Sequence, residues 1–444
     1  MQPILLFGAG RSSYFLIDYL LREAAPWGLA VADIDVSQLA ERHGHSDRLE
    51  AITLDIYHAE RRRALVQEAH LVISLLPPDF HPIVAADCAE LGRSLITASY
   101  TNPEMRQYEP EFRRKGQFVL PEMGFDPGID HMSAMREIDA LHQEGARVEA
   151  FRSYAGGLMR PDSSQNPWGY KVTWNPGNVA KAGQSGGHYL HEGVEKWVPY
   201  PRIFRETASV TLPSVGPLEA YLNRDALPYR EAYGIEEVRH LARYTLRRPG
   251  FCAGWQVLVE LGLTEPHQRL RSVEPGEPVS AFVARLLPEG FDHPRAWLRH
   301  HADRLPAQTA AQWESLGLLS DEPVGLTQPS PAEVLAQCLS KHLGVAPDDV
   351  DELLLLHRIG YHKNGRAYER RLSMRLEGQD AVRTAMARCV GLPPAVAAHL
   401  VLERRLQLFG LQLPTHPEVY QSVLPVLQRK GVHFHREDIP QETA

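Results

Sequence analysis

From residue 121 the chain reads P-E-M-G-F-D-P-G-I-D-H-M, then S-Y-A-G-G-L at 153–158, then N-P-W-G-Y-K-V-T-W-N-P-G-N at 166–178. Glycines and prolines interrupt any long periodic element here. Asp126, Trp168, Tyr170, Lys171 and Trp174 stand among the breakers. Loops that join fixed backbone shapes to converging aromatic and ionic groups usually line a site. The stretch is therefore expected to line one.

The amino terminus indicates the kind of chemistry. An apolar run, P-I-L-L-F at 3–7, leads straight into G-A-G-R-S-S and an amphipathic segment, Tyr14 to Glu23. Gly8 and Gly10 let the backbone turn tightly against a pyrophosphate, and the following helix aims its first N–H groups at the phosphates. Arg11, Ser12 and Ser13 open that helix, Ser13 taking the place of the third glycine. Asp33, at the end of the second strand, suits ribose hydroxyls. An acid there repels a 2′-phosphate, and Ile34 and Asp35 follow it rather than arginine. The pattern favours NAD, with NADP as the alternative.

The elements that must hold these residues alternate. Strands are expected at 3–7, 28–35, 51–55, 70–76, 94–99 and 117–121, with helices at 14–23, 58–68, 82–91 and 102–115. Alternation of this kind gives an α/β fold with a parallel sheet. Past 126 the pattern changes. Residues 147–154 and 351–377 have strand character, and Lys363-Asn364-Gly365 marks a tight hairpin turn. Residues 226–346 read as an inserted all-helical domain broken by prolines. Residues 380–405 are helical with a break at G-L-P-P, 417–431 form another helix, and Arg436–Ala444 a frayed tail. Three domains are expected: Rossmann-type (1–125 with about 379–444), mixed α/β for substrate and dimerisation (126–225 with about 347–378), and helical (226–346).

Composition excludes several classes. Of 444 residues 43% are apolar, and 47 basic against 55 acidic residues give a net charge of −8. No basic block exists to bind nucleic acid or a membrane surface, and the run Arg61–Arg63 reads as a solvated helix face. Cys88, Cys252, Cys338 and Cys389 are far apart with no C-x-x-C pair. That fits a reducing cytosol rather than a disulfide framework. None of the 21 histidines forms H-x-x-x-H with an acidic partner, so no metal is expected. No signal-peptide pattern opens the chain, and no apolar run approaches the ~20 residues needed to span a bilayer.

With both regions in hand, the chain resembles the saccharopine dehydrogenase family of the glutamate-forming type, saccharopine reductase. The blocks that carry the resemblance are S-L-L-P-P-D-F-H (74–81), T-A-S-Y (97–100), G-F-D-P-G-I-D-H (124–131), Y-A-G-G-L (154–158) and N-P-W-G-Y-K-V-T-W (166–174). L-N-R-D-A-L-P-Y (222–229), R-Y-T-L-R-R-P-G-F (243–251) and V-G-L-P-P-A-V-A-A (390–398) continue the order. The resemblance implies oxidation of saccharopine with a nicotinamide cofactor and water, giving glutamate and 2-aminoadipate 6-semialdehyde, or the reverse. It also implies the three-domain architecture and leaves a homodimer open.

Family positions assign Ser99, Tyr100, Asp126, Arg224, Arg243 and Thr245 to substrate. Asp55, Leu76, Thr97, Gly124, Phe125, Asp126 and Trp174 join the glycine turn and Asp33 at the cofactor. Saccharopine carries three carboxylates, which guanidinium forks bind in bidentate fashion. Asp126 has a second reading as a helix cap, and Trp174 one as a packing residue. Hydride loss from the carbon beside the secondary amine gives an imine that water then opens, so a general base is needed. Tyr100 and Asp126 are the candidates, with His131 a third. Tyr244 stands where the family commonly has glycine and is expected to narrow the pocket. Two rivals share the fold: a carboxyspermidine- or homospermidine-type imine oxidoreductase, whose pocket would need acids, and a non-catalytic dinucleotide-binding protein.

Overall fold

The computed structural model describes residues 3–267, 273–274 and 276–441, and it divides into two compact units. Unit 1 comprises Met1–Ala146 and Val382–Phe434; unit 2 comprises Arg147–Ala381 and His435–Ala444. Pro275 and Gln441's successors, among the residues assigned above to a helical break and a tail, lie outside the described residues.

In unit 1, β1 (Ile4–Phe7), β2 (Leu29–Asp33), β3 (Leu49–Thr53), β4 (Leu71–Ser74), β5 (Ser94–Thr97) and β6 (Phe118–Leu120) fall close to the expected bounds. Between and after them lie α1 (Tyr14–Glu23), α2 (Leu39–His43), α3 (Ala59–Glu68), α4 (His81–Leu91), α5 (Pro103–Arg106), α6 (Glu109–Arg114) and α7 (Ile129–Gln143). The strands pair in parallel in the order β6-β5-β4-β1-β2-β3, and a short strand at Gly410–Leu411 extends the β6 edge. All residues of β1, β4 and β5 are buried. Continuous apolar runs rather than alternation are what a sheet covered on both faces requires.

Several expectations change in this unit. Helix α7 belongs here, not to the substrate domain: the Tyr420 hydroxyl donates to Asp139, and Ile129, Met132 and Ala134 are fully buried. G-L-P-P does not break its helix, which runs unbroken from Ala385 to Leu402. Gly391 lets that helix lie against the start of α1, since a Cβ there would sit 2.7 Å from the Ser12 carbonyl oxygen. By length and composition this helix is apolar enough to cross a membrane, but two-thirds of it (67%) is buried within the fold. The Arg61–Arg63 run is not wholly solvated. Arg62 is 7% exposed with its Nε 2.6 Å from Asp87, and Arg63 pairs with both Asp87 and Glu90.

Unit 2 is built on a ten-stranded mixed sheet. Its strands include β7 (Arg147–Met159), β8 (Gly187–His191), β9 (Val194–Val198), β10 (Ala208–Leu212), β11 (Gly216–Leu222) and β12 (Arg224–Asp225). They continue with β13 (His240–Arg247), β14 (Asp351–Lys363) and β15 (Arg366–Glu377). The main path runs β10-β11-β13-β7-β14-β15 and ends on a strand at His435–Pro440, with β8, β9 and β12 on a side branch. The β14–β15 hairpin turns at Asn364 (φ 52°) and Gly365 (φ 75°), both left-handed as a two-residue loop needs.

Two corrections follow. Residues 226–346 are not all helical, because His240–Arg247 is a central strand between β11 and β7. After a short helix at Tyr229–Ala232, the helices resume at Phe251 and share one apolar core with the sheet, through Trp168, Tyr221, Trp255 and Trp313. The tail is not frayed up to residue 440. It adds a strand to β15, held by Asp438 against Arg370 at 2.8 Å and the Tyr361 hydroxyl at 3.1 Å.

Candidate functional site

The carboxyl ends of the parallel strands β1 to β6 carry the unit 1 residues along one edge of the sheet, where ligand sites of this fold lie. After β1, Gly8 takes φ +107°, and a Cβ there would lie 3.2 Å from the Leu75 carbonyl carbon. Leu76 follows at the end of β4, half-buried. A Cβ on Gly10 would meet nothing within 4 Å, so space stands open above the turn. Arg11, Ser12 and Ser13 form a 3-10 turn into α1, and the Ser13 hydroxyl donates to the Gly10 carbonyl at 2.8 Å. Thr97 at the end of β5 keeps a buried Oγ1 without a hydrogen-bond partner. An open glycine cradle and an orphaned hydroxyl fit a dinucleotide.

Asp33 behaves differently from the sequence expectation. Its Oδ2 accepts the Ala9 N–H at 2.6 Å and its Oδ1 the Asp35 N–H at 3.2 Å, so the carboxylate braces the glycine turn. Arginine is also near, although none follows Asp33 in sequence. Helix α2 returns Arg42 to the turn, with Nη1 3.5 Å from the Ala9 carbonyl and a second bond to Gln38. Charge-repulsion reasoning from Asp33 alone missed both facts. Asp55 is exposed beyond β3, where it accepts the Tyr57 N–H at 2.9 Å.

The loops after β5 and β6 carry the candidate acid–base group. The Tyr100 hydroxyl donates to Asp126 Oδ1 at 2.6 Å. The N-cap of α7 is Gly128, whose N–H donates to Asp130 in the first turn at 2.7 Å. The 124–128 turn is tight. Gly124 N–H bonds to the Pro127 carbonyl at 2.9 Å, and a Cβ on Gly128 (φ +142°) would sit 2.1 Å from the Gly124 carbonyl oxygen. Phe125 is buried within it. Gly128→Ala is expected to destabilise unit 1 by more than about 3 kcal/mol, read as a fall in urea midpoint, because both space and φ forbid it.

His131 is 0% exposed and held among acids. It lies 3.4 Å from Glu122 and 3.6 Å from Asp130. Burial would raise the Glu122 carboxyl, but His131 and two hydrogen bonds from Thr101 outweigh it and hold the group down to about 2. Glu122 Oε1 accepts the Thr101 N–H at 3.0 Å and its hydroxyl at 2.8 Å. This clamp fixes the backbone next to Tyr100.

In unit 2 the candidate carboxylate ligands share one region. Arg243 and Thr245 point to the same face of β13, two residues apart. Arg243 is 2% exposed, and its guanidinium carbon lies 4.6 Å from the centre of the Tyr229 ring. Arg224 follows β11 on the exposed surface at φ +59°, and its neighbour Asn223 donates its N–H to the Arg243 carbonyl at 2.8 Å. Arg247, on the Arg243 face, went unnoticed in the sequence. It is buried among Tyr170, Tyr221 and Phe251, with ring distances of 5.1, 5.5 and 5.1 Å.

Tyr244 does not narrow that face. It points to the opposite side of the sheet and stacks on Tyr154 at 4.8 Å. Trp168 and Tyr170 line no site either: each is no more than 2% exposed, and Trp168 Nε1 donates to the Gln312 carbonyl. Y-A-G-G-L is not a loop but part of β7, where a Cβ on Gly156 would lie 2.7 Å from Leu246. Lys171 is tied to Asp349 at 2.6 Å. Trp174 is 39% exposed, just before the short helix Pro176–Ala180.

Comparison with known proteins gives a consistent picture. Residues 4–120 match the saccharopine dehydrogenase NADP binding domain, and residues 124–432 the saccharopine dehydrogenase C-terminal domain. The mitochondrial alpha-aminoadipic semialdehyde synthase of Mus musculus is 31% identical over 98% of the chain and 48% of its own length. The chain thus spans about half the length of the first curated relatives it matches. Saccharopine dehydrogenase [NADP(+), L-glutamate-forming] of Saccharomyces cerevisiae is 27% identical over 99% of each chain. The apo saccharopine dehydrogenase (L-Glu forming) structure from that yeast matches with TM-score 0.86 at 26% identity, covering 99% of this chain and 100% of its own. A homospermidine synthase from Legionella pneumophila shares the fold at TM-score 0.58 and 10% identity, covering 98% of this chain and 91% of its own.

Proposed function

Since the chain belongs to the saccharopine dehydrogenase family, we propose that it oxidises saccharopine with NADP and water to glutamate and 2-aminoadipate 6-semialdehyde, or runs the reverse. The Tyr100–Asp126 hydrogen bond at the carboxyl ends of the cofactor sheet carries this reading. It supplies an acid–base pair in the unit that holds the glycine turn. Bound nicotinamide would supply the hydride acceptor. Asp126 takes the proton of the secondary amine and returns it in the reverse direction, while the Tyr100 hydroxyl holds the carboxylate in place. Ser99 contacts a substrate polar group. In unit 2, Arg224, Arg243 and Thr245 take carboxylates, for which paired guanidinium groups are suited. A polyamine imine would call for acids at those positions.

NADP is preferred to NAD on a local argument. Asp33 turns its charge into the glycine loop, and Arg42 puts a cation beside it. A guanidinium there can take a 2′-phosphate, and charged hydrogen bonds of this kind contribute about 1.5–3 kcal/mol. Arg42→Ala is expected to lower the NADP-to-NAD ratio of kcat/KM by about 10–100-fold. An unchanged ratio would remove Arg42 from the account. The activity itself is tested by following reduced cofactor with saccharopine as the only substrate.

A further inference from the structure

Ser74 and His81 open and close the S-L-L-P-P-D-F-H block, yet the cofactor reading uses only Leu76 between them. Folding brings the two ends together. Ser74 is the last residue of β4, Pro78–Phe80 makes a 3-10 turn, and His81 begins α4. The imidazole is 1% exposed and Ser74 0%. Nδ1 lies 3.1 Å from Ser74 Oγ, and Nε2 lies 2.9 Å from Ser99 Oγ. Both ring nitrogens therefore meet hydroxyls.

Burial pushes the His81 ring down to about 4, so it is neutral near pH 7. A neutral imidazole has one donor and one acceptor, so the chain of three groups has a direction. It also has a closed end. Ser74 has no exposure through which a proton could leave, which argues for orienting rather than proton relay. Ser99, by contrast, is half-buried and can meet a ligand.

We infer that His81 is a positioning residue for Ser99: Ser74 donates to Nδ1, Nε2–H donates to Ser99 Oγ, and the Ser99 proton is left aimed at a substrate carboxylate. This rests on the reading of Ser99 as a saccharopine contact. Without the ring, the hydroxyl is free to sample its three staggered rotamers, and the donor direction is lost. The ring plays this part without touching substrate.

Two near-isosteres separate its ends. The amide of His81→Asn reaches the position of Nδ1 and keeps Ser74, whereas that of His81→Gln reaches Nε2 and keeps Ser99. Steady-state kinetics on the full chain with saccharopine and NADP provide the readout, with cofactor titration and thermal midpoints alongside. Ser99→Ala and His81→Asn should each raise the saccharopine KM about 10-fold, the loss of one hydrogen bond. The double variant should be no worse than either, His81→Gln should restore most of the loss, and kcat and cofactor affinity should hold. Ser74→Ala, which keeps the ring but frees it, should raise KM in the same direction by a smaller factor.

Equal KM values for His81→Asn and His81→Gln, or additive effects in the double variant, would overturn the inference. A raised KM in Ser99→Ala with none in His81→Asn would overturn it while sparing the Ser99 contact. An unchanged KM in Ser99→Ala would remove both. Absence of turnover by the unaltered protein would instead defeat the proposed activity, and the inference with it.

Discussion

Asp126→Asn is expected to lower kcat/KM for saccharopine by about 10²–10⁴-fold, the usual contribution of a positioned general base. The substitution is nearly shape-neutral. Asn Oδ1 can still accept the Tyr100 hydroxyl, which now donates to Asp126 at 2.6 Å, so the loop should keep its geometry. Cofactor affinity and thermal midpoint should therefore hold while turnover falls. Tyr100→Phe should fall less, because it loosens the carboxylate without removing the proton acceptor. A kcat/KM for Asp126→Asn within a few-fold of the unaltered protein would strip Asp126 of its role. The base would then have to be sought elsewhere.

Arg224→Gly should separate stability from binding. Arg224 holds φ +59° on the exposed surface, a conformation that costs an L-residue about 1–2 kcal/mol and glycine almost nothing. Glycine's greater freedom in the unfolded chain offsets part of that gain. Stability should accordingly stay level or rise by up to about 1 kcal/mol, while the saccharopine KM rises about 10–100-fold from loss of a charged hydrogen bond. A strained arginine kept for binding predicts this opposition. If glycine leaves KM unchanged, the arginine does not hold substrate.

Much of this was legible in the sequence, for identifiable reasons. The parallel sheet announces itself because its inner strands are apolar on both faces and are followed by a turn or a helix start. The β14–β15 hairpin does so because Asn-Gly is one of the few pairs that accept two left-handed residues. Strand β13 was hidden. H-L-A-R-Y-T-L-R mixes two buried arginines with apolar residues, and cations at strand-interior positions mask the alternation that marks a strand. The strand at His435–Pro440 was only half legible, as a polar strand or tail around His433 and His435, since pairing with β15 and an ion pair with Arg370 rather than apolar spacing hold it.

The site divides in the same way. Gly8, Gly10, Ser99, Tyr100 and Asp126 sit in short motifs, where adjacency in the chain is adjacency in space. Arg42 and His81 act through the fold, each returned to the site by the helix after a strand. The NAD expectation weighed the residues next to Asp33 and not Arg42, which α2 brings back to the glycine turn. The aromatic density of 166–174 misled in the opposite sense. Trp168 and Tyr170 are core residues, and the glycines around them serve packing; Gly169, at φ +55°, would bring a Cβ to 3.0 Å from the Arg248 side chain.

The central claim is tested most directly by giving the purified protein saccharopine with NADP or with NAD and following absorbance of the reduced cofactor. Turnover with both substrate and cofactor present, faster with NADP than with NAD, is the expected result. No reduction of either cofactor would contradict the account.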